Sequence, residues 1–218
     1  MRPRALAVAI VAGAAFAAAG IYGRVTTDVP TSTKFPSALC GSERWTVKTL
    51  TDPAASRIDF AGVKDTNVEA LRRLNVPFRL KATSLRRLGA ERTVYRFTAR
   101  VMAMKREDDS DIHLVVSDPT TGGSMIVEFP SASCDIGAAA AQRARMTKAR
   151  ANLVAACGGE PGSKSYRQLV GTATISGVGF FDLIHGQSGV APNGIELHPA
   201  LSFTSANCKR VSPKHASG

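Results

Sequence analysis

Thr93-Val94-Tyr95-Arg96-Phe97-Thr98-Ala99-Arg100-Val101-Met102-Ala103-Met104 is the stretch whose reading decides the fold. Tyr95, Phe97, Ala99, Val101 and Ala103 share one face, and Arg96, Thr98, Arg100 and Met102 share the other. A period of two marks a half-buried strand. Lys105 to Asp111 is a charged, tight connection, after which Ile112-His113-Leu114-Val115-Val116 resumes the alternation with Ile112, Leu114 and Val116 inward. Asp118-Pro119 and Gly122-Gly123 mark a turn, and Met125, Val127 and Phe129 form the inward side of a third strand. Folding this hairpin about its turn, with the inward faces kept together, sets His113 across from Glu128 on the outer face. Cross-strand neighbours have Cβ atoms roughly 4.5–5.5 Å apart, so the two side chains come within reach of a hydrogen bond. A surface pair of slight energetic value is the plainer reading of these two residues.

Beyond the third strand, residues 137–157 carry Gln142, Met146, Ala149, Leu153 and Cys157 at three- and four-residue steps, the stripe of an amphipathic helix. Gly158-Gly159 and Pro161-Gly162 stop it. A threonine-rich strand from Leu169 to Ile175 follows and runs into Gly177-Val178-Gly179-Phe180-Phe181. In the last strand Ile195, Leu197, Leu201 and Phe203 turn inward, leaving Glu196 and His198 on the opposite face. Five strands with one helix between the third and fourth is the order of the OB-fold, a small Greek-key barrel. The expected fold is therefore mainly β (α+β), with residues 92–205 as the barrel. A small strand and helix extension lies within 24–91, and a tail occupies 206–218. In the extension, Trp45–Leu50 reads as a short strand, and Thr66-x-x-Glu69 as the capping box of a helix that ends at Pro77.

The N-terminus places the chain in the cell. Arg2 and Arg4 precede an unbroken apolar and small-residue run from Ala5 to Ala19, and Ala17-Ala18-Ala19 suits an export peptidase. Residues 1–19 read as a signal peptide cleaved between 19 and 23. An uncleaved anchor is the alternative, and the only membrane attachment the sequence suggests. Cleavage removes two arginines and lowers the net charge from +11 to +9. That balance suits anionic partners such as nucleic acid, phospholipid headgroups or acidic polymers, although the charges are scattered rather than run together. In an oxidising periplasm or exterior, the four cysteines imply two disulfides. Three pairings are possible, of which the nested one, Cys134–Cys157 with Cys40–Cys208, is preferred.

In an OB-fold the loops joining strands 1–2 and 4–5 flank the ligand face. Here they are Lys105–Asp111 and Asp182–Asn193, the two polar concentrations of the chain. Candidate ligand-binding residues are His113, Glu128, Asp182, His185, Gln187, Asn193, Glu196 and His198. Asp182, His185, Glu196 and His198 are also the candidate metal set, which would suit zinc or manganese activating water. No HExxH, HxH or CxxC spacing supports a metal site, and no G-x-S-x-G, P-loop or dinucleotide fingerprint occurs. Few aromatic residues stand on outer strand faces, which weakens a single-stranded nucleic-acid reading. A loop stiffened by its own glycines, prolines and hydrogen bonds explains most of the 182–199 cluster, and a ligand-binding loop built that way explains its placement too.

The segments Met104-Lys105-Arg106-Glu107-Asp108-Asp109-Ser110-Asp111-Ile112-His113-Leu114-Val115-Val116-Ser117-Asp118-Pro119 and Thr174 to Pro199, the latter holding Gly177-Val178-Gly179-Phe180-Phe181-Asp182 and Ile195-Glu196-Leu197-His198-Pro199, resemble a group of exported bacterial proteins. The resemblance covers roughly residues 93–203, with a looser match upstream from Trp45. It implies export and a compact β-rich domain, and it transfers no activity, cofactor or site residue. The expected function is an exported binding module for a ligand of anionic character. The alternatives are a metal-dependent hydrolase, of phosphodiesters for example, and a structural interaction protein of the cell envelope.

Overall fold

The computed structural model describes residues 40–87, 89–163 and 165–211. The signal-peptide reading of 1–19, the rest of the leader to residue 39 and the end of the tail lie outside these residues. In chain order the elements are α1 (Trp45–Lys48), β1 (Val63–Asp65), α2 (Val68–Arg72), β2 (Val94–Arg106), β3 (Ile112–Ser117), β4 (Ser124–Phe129), α3 (Ala140–Ala156), β5 (Arg167–Val170), β6 (Thr172–Phe181), β7 (Ile195–Thr204) and β8 (Lys209–Arg210).

The alternating stretch is β2, and its bend closes the barrel. Tyr95, Phe97, Ala99 and Val101 enter the main core, but a β-bulge between Val101 and Ala103 then shifts the inward face, so that Met104 replaces Ala103 in that core. A bulge adds a residue to one strand and bends it. The first half of β2 pairs antiparallel with β6 and the second half antiparallel with β3. The sheet continues β3–β4–β7–β6 and returns to β2, so five strands form a closed ring. β4 and β7 are its one parallel pair, with Ile126 beside Glu196 and Val127 beside Leu197. This is the OB order, with α3 between the third and fourth barrel strands. β1 and β5 add to β2 outside the ring, and β8 pairs with β5. Gly171 separates β5 from β6 at φ +123°, and a side chain there would strike the Asn207 carbonyl.

Leu114, Val116, Met125, Val127, Phe129, Ile175, Leu197 and Phe203 fill the barrel, and Ala149 and Leu153 of α3 cap it. Met146, one turn earlier, belongs to a second cluster with Leu50, Ile58, Val178 and Leu201. The helix stripe thus joins two cores, and the second lies under the N-terminal segment. All described residues belong to one compact unit, Phe35–Gly218.

Three local expectations are corrected. Trp45–Lys48 is a helical turn rather than a strand: Val47 is buried, and the Thr49 hydroxyl and amide both bond the Trp45 carbonyl. Tertiary packing overrides the β-propensity of Trp, Thr and Val here. Asn67, not Thr66, caps α2, its Oδ1 accepting from the Ala70 amide at 2.7 Å, and the helix ends at Arg72, ahead of Pro77. The disulfides are Cys40–Cys134 and Cys157–Cys208, not the nested pairs. The 17 residues of α3 lie between Cys134 and Cys157 and span about 25 Å. Bridged Cα atoms must lie within about 7 Å, so the helix holds those two cysteines apart. Peptide mapping without reductant is expected to recover Cys40 joined to Cys134 and Cys157 to Cys208; a Cys134–Cys157 peptide would contradict this fold.

Candidate functional site

The outer face of β3, β4 and β7 is not open to solvent. His113, Glu128, Glu196 and His198 are 3%, 8%, 2% and 2% exposed. The hairpin register places His113 opposite Glu128, as the turn chemistry predicts. The covering comes from two sides. Gly189 of the β6–β7 loop lies over Val115 so closely that a Cβ there would sit 2.5 Å from it. From the N-terminal segment, Arg44 places its guanidinium 4.5 Å from the centre of the Phe180 ring, which meets His198 edge-on at 5.5 Å.

Between these covers remains a recess of about 470 Å³. The β2–β3 loop (Glu107, Asp108, Asp109), the β6–β7 loop (Asp182, His185, Gln187) and the N-terminal segment (Glu43, Trp45, Lys48) line it, over a floor of His113, Glu128 and His198. That volume suits a small molecule. Both loops expected to flank the ligand face do meet here.

Each floor imidazole has an acceptor on both nitrogens. His113 Nδ1 lies 2.7 Å from Glu128 Oε1, and its Nε2 lies 3.0 Å from the Ser188 carbonyl. His198 Nδ1 lies 3.0 Å from Glu196 Oε1, and its Nε2 faces Asp111 Oδ2 at 3.3 Å. Only the doubly protonated ring donates from both nitrogens, which suits His113, while His198 Nε2 and Asp111 Oδ2 lie within ion-pair distance without forming a hydrogen bond. Burial opposes the charge on His113, but Glu128 and then the Ser188 carbonyl outweigh it and push its pKa up to about 9. For His198 burial is again opposed, by Asp111 and Glu196, and its pKa is also pushed up to about 9. Burial, reinforced by the charge of Asp111, raises Asp109 to about 6. Glu128 and Glu196 move up as well, mainly through burial. On Lys48 burial works against the charge, but Glu196 and Asp182 outweigh it and hold its pKa above the ordinary value. Burial raises the acids and neighbouring carboxylates raise the cations, so the whole cluster retains protons.

The four residues of the candidate metal set do not converge. Glu196 and His198 bond to each other, Asp182 pairs with Lys48 at 3.4 Å, and His185 stands exposed at the rim. Among the described residues no group of three or more His, Cys, Asp and Glu side chains is arranged to hold a metal ion. In the imidazolium form a ring offers no lone pair to a metal ion or to a proton. Gln187 braces the loop instead of facing a ligand squarely: its Oε1 accepts from the His185 amide and its Nε2 donates to the Leu183 carbonyl. Asn193 is outside the recess altogether, donating to the Leu71 and Leu74 carbonyls and so tying the loop to α2.

Sequence reading missed Glu43, at the end of the leader, and Trp45 and Lys48, in the segment read as a strand. No local signal marks them, because the pairing of Cys40 with Cys134 helps bring that segment here. Asp111 was seen only as part of a charged turn. Its burial, with Oδ1 accepting from the Ser131 amide and Oδ2 against His198, follows from the barrel's closure.

Fold and site together define a five-stranded OB-type barrel with a loop-lined polar recess between the two loops that flank the ligand face in OB-folds. No family model, curated protein or solved structure matches the chain.

Proposed function

We propose that the chain is an exported binding module holding a small ligand in this recess through a cationic, hydrogen-bond-donating group. The carrying observation is the lining. Six carboxylates (Glu43, Glu107, Asp108, Asp109, Glu128 and Asp182) face three cationic groups in the lining, Lys48, His113 and His198, with Lys105 pairing Glu107 from outside it at 3.1 Å. Both imidazolium groups and the lysine are already committed to carboxylates. Glu128 Oε2 is buried with no hydrogen-bond partner among the described residues, an acceptor left without a donor. A ligand ammonium or guanidinium supplies both the donor and the missing positive charge; an anion would meet the carboxylates instead. The expectation of an anionic partner, which came from the net charge of the whole chain, therefore does not attach to this recess. Export is supported by the Arg2/Arg4-led apolar N-terminus and by two disulfides, which suit an oxidising compartment.

Trp45 is the chain's one tryptophan and lines the recess, so its emission reports occupancy. Titration with spermidine, arginine and choline is expected to give a saturable change with at least one of them, weakened about tenfold or more by Asp109→Asn, since a hydrogen bond to a charged group contributes about 1.5–3 kcal/mol. A flat response to all three amines would overturn the reading and leave the loop a structural element of an envelope interaction protein. A response of equal size to inorganic phosphate would reverse the sign of the ligand.

A further inference from the structure

A second surface, made of residues other than those lining the recess, carries its own partner chemistry. Between Glu69 and Glu91 the chain has six basic residues and no carboxylate. Two of them are consumed internally: Arg86 is buried on Asp52 at 2.6 Å, and Arg72 is held by Glu69 and the Ser124 carbonyl. Arg79, Lys81 and Arg87 remain at or near the surface, and Arg73, also exposed, pairs with Glu69 at 3.1 Å. Among them stand Val76, Phe78 and Leu85, 55%, 80% and 75% exposed, and the latter two are the most exposed large apolar side chains of the described residues.

This is not a loose loop. Arg44 donates to the Ser84 and Leu85 carbonyls, its own amide bonds the Ala82 carbonyl, and Arg87 reaches the Ser84 hydroxyl. The Arg79 guanidinium lies over the Phe78 ring, 4.9 Å from its centre. The backbone is therefore held in place while phenylalanine and leucine point out among cations. Three exposed apolar side chains within one basic segment offer a partner both hydrocarbon and charge. Their partner must accept hydrocarbon and carry negative charge. A second copy of the chain docked loop to loop brings the same positive charge and is repelled. A nucleic acid satisfies the cations but gives Leu85 and Val76 nothing to enter. An anionic phospholipid bilayer satisfies both, with apolar tips at the acyl boundary and Lys and Arg at the headgroups.

We propose that the Val76–Arg87 loop docks the folded domain on an anionic phospholipid surface. This is independent of the recess and of any ligand there. The anionic partner suggested by the chain's net charge is thus met on this face.

The test uses the chain from Phe35 onward, which contains the whole compact unit and both disulfides and lacks the apolar Ala5–Ala19 run. Co-sedimentation is measured with vesicles of phosphatidylglycerol and phosphatidylcholine, and with phosphatidylcholine alone. Binding to the anionic vesicles and little to the neutral ones is expected. Arg79→Gln with Lys81→Gln is expected to weaken it about 25-fold, roughly fivefold for each cation removed. Phe78→Ser with Leu85→Ser is expected to weaken it at least as much, at low and high salt alike. All four positions are exposed or at the surface, and circular dichroism checks that the variants stay folded. Equal sedimentation of wild type and both double variants would overturn the proposal. So would salt-sensitive retention on heparin together with vesicle binding that ignores Phe78→Ser and Leu85→Ser, because that pattern belongs to a polyanion surface.

Discussion

Arg44→Ala is expected to lower the unfolding free energy by about 3–5 kcal/mol, the cost of leaving one charge of a buried pair without its partner. Arg44 and Glu91 have side chains 1% and 0% exposed and meet through two parallel bonds of 2.8 and 2.7 Å. The guanidinium also donates to the carbonyls of Phe181, Ser84 and Leu85, while Glu91 accepts from the amides of Phe181 and Arg87. One ion pair therefore joins the N-terminal segment, the loop before β2 and the end of β6. Arg44→Lys is expected to recover little, because an ammonium cannot form the planar fork. Urea unfolding followed by circular dichroism reads the effect as a midpoint lower by about 2 M, for a slope near 2 kcal/mol/M. Arg44 also leads directly into Trp45 and Lys48, so the alanine variant is expected to lose the amine response of Trp45 while still folded at low denaturant. A loss of stability below about 1 kcal/mol would show that the pair does not hold these segments together.

Raising the pH from about 6.5 to about 9.5 is expected to destabilise the fold by about 3 kcal/mol for the first floor imidazole that loses its proton. The folded-state values of His113 and His198, both about 9, lie above the unfolded histidine value near 6.5. The folded chain holds more protons than the unfolded chain between those limits. Stability is thus fully present below about pH 6.5 and is lost as the pH rises through about 9. Asp109, at about 6 against an ordinary 3.8, works in the same direction at lower pH, between about 4 and 6. Loss of the first imidazolium proton leaves the cluster more negative and holds the second more firmly, so the decline is broad. Melting temperatures at pH 6.5, 8 and 9.5 should fall in that order, and His113→Gln should flatten the slope. Equal melting temperatures across the range would mean that the two rings are neutral at pH 6.5 and that the floor is not a proton-retaining cluster.

How far the site was legible follows from which residues are neighbours through local rules. His113 and Glu128 were paired correctly because a hairpin with a defined turn and one buried face has a single register. Glu196 and His198 were placed on one face by the period of two, and they are bonded to each other. The meeting of the two polar loops followed from strand order. The shift from Ala103 to Met104 was not legible, since a bulge is set by the pairing with β3 and Met102, Ala103 and Met104 are all apolar, so no change of residue type marks it. Asn193 looked like a ligand contact because its loop was the right one, but side-chain direction in a long loop depends on what packs beside it, here α2. The acidity of the recess was masked by the basic average of the whole chain.

Alternating side chains, one amphipathic helix and their order along the chain were enough to determine a five-stranded barrel and the end of it where polar groups gather, because periodicity and turn chemistry act between near neighbours. The cysteine partners, the helical turn at Trp45 and the burial of the His113–Glu128 and Glu196–His198 pairs under chain from both ends of the sequence were decided only by the tertiary structure. Those contacts join residues far apart in the chain, where burial and charge balance are properties of the assembled surface and not of any segment.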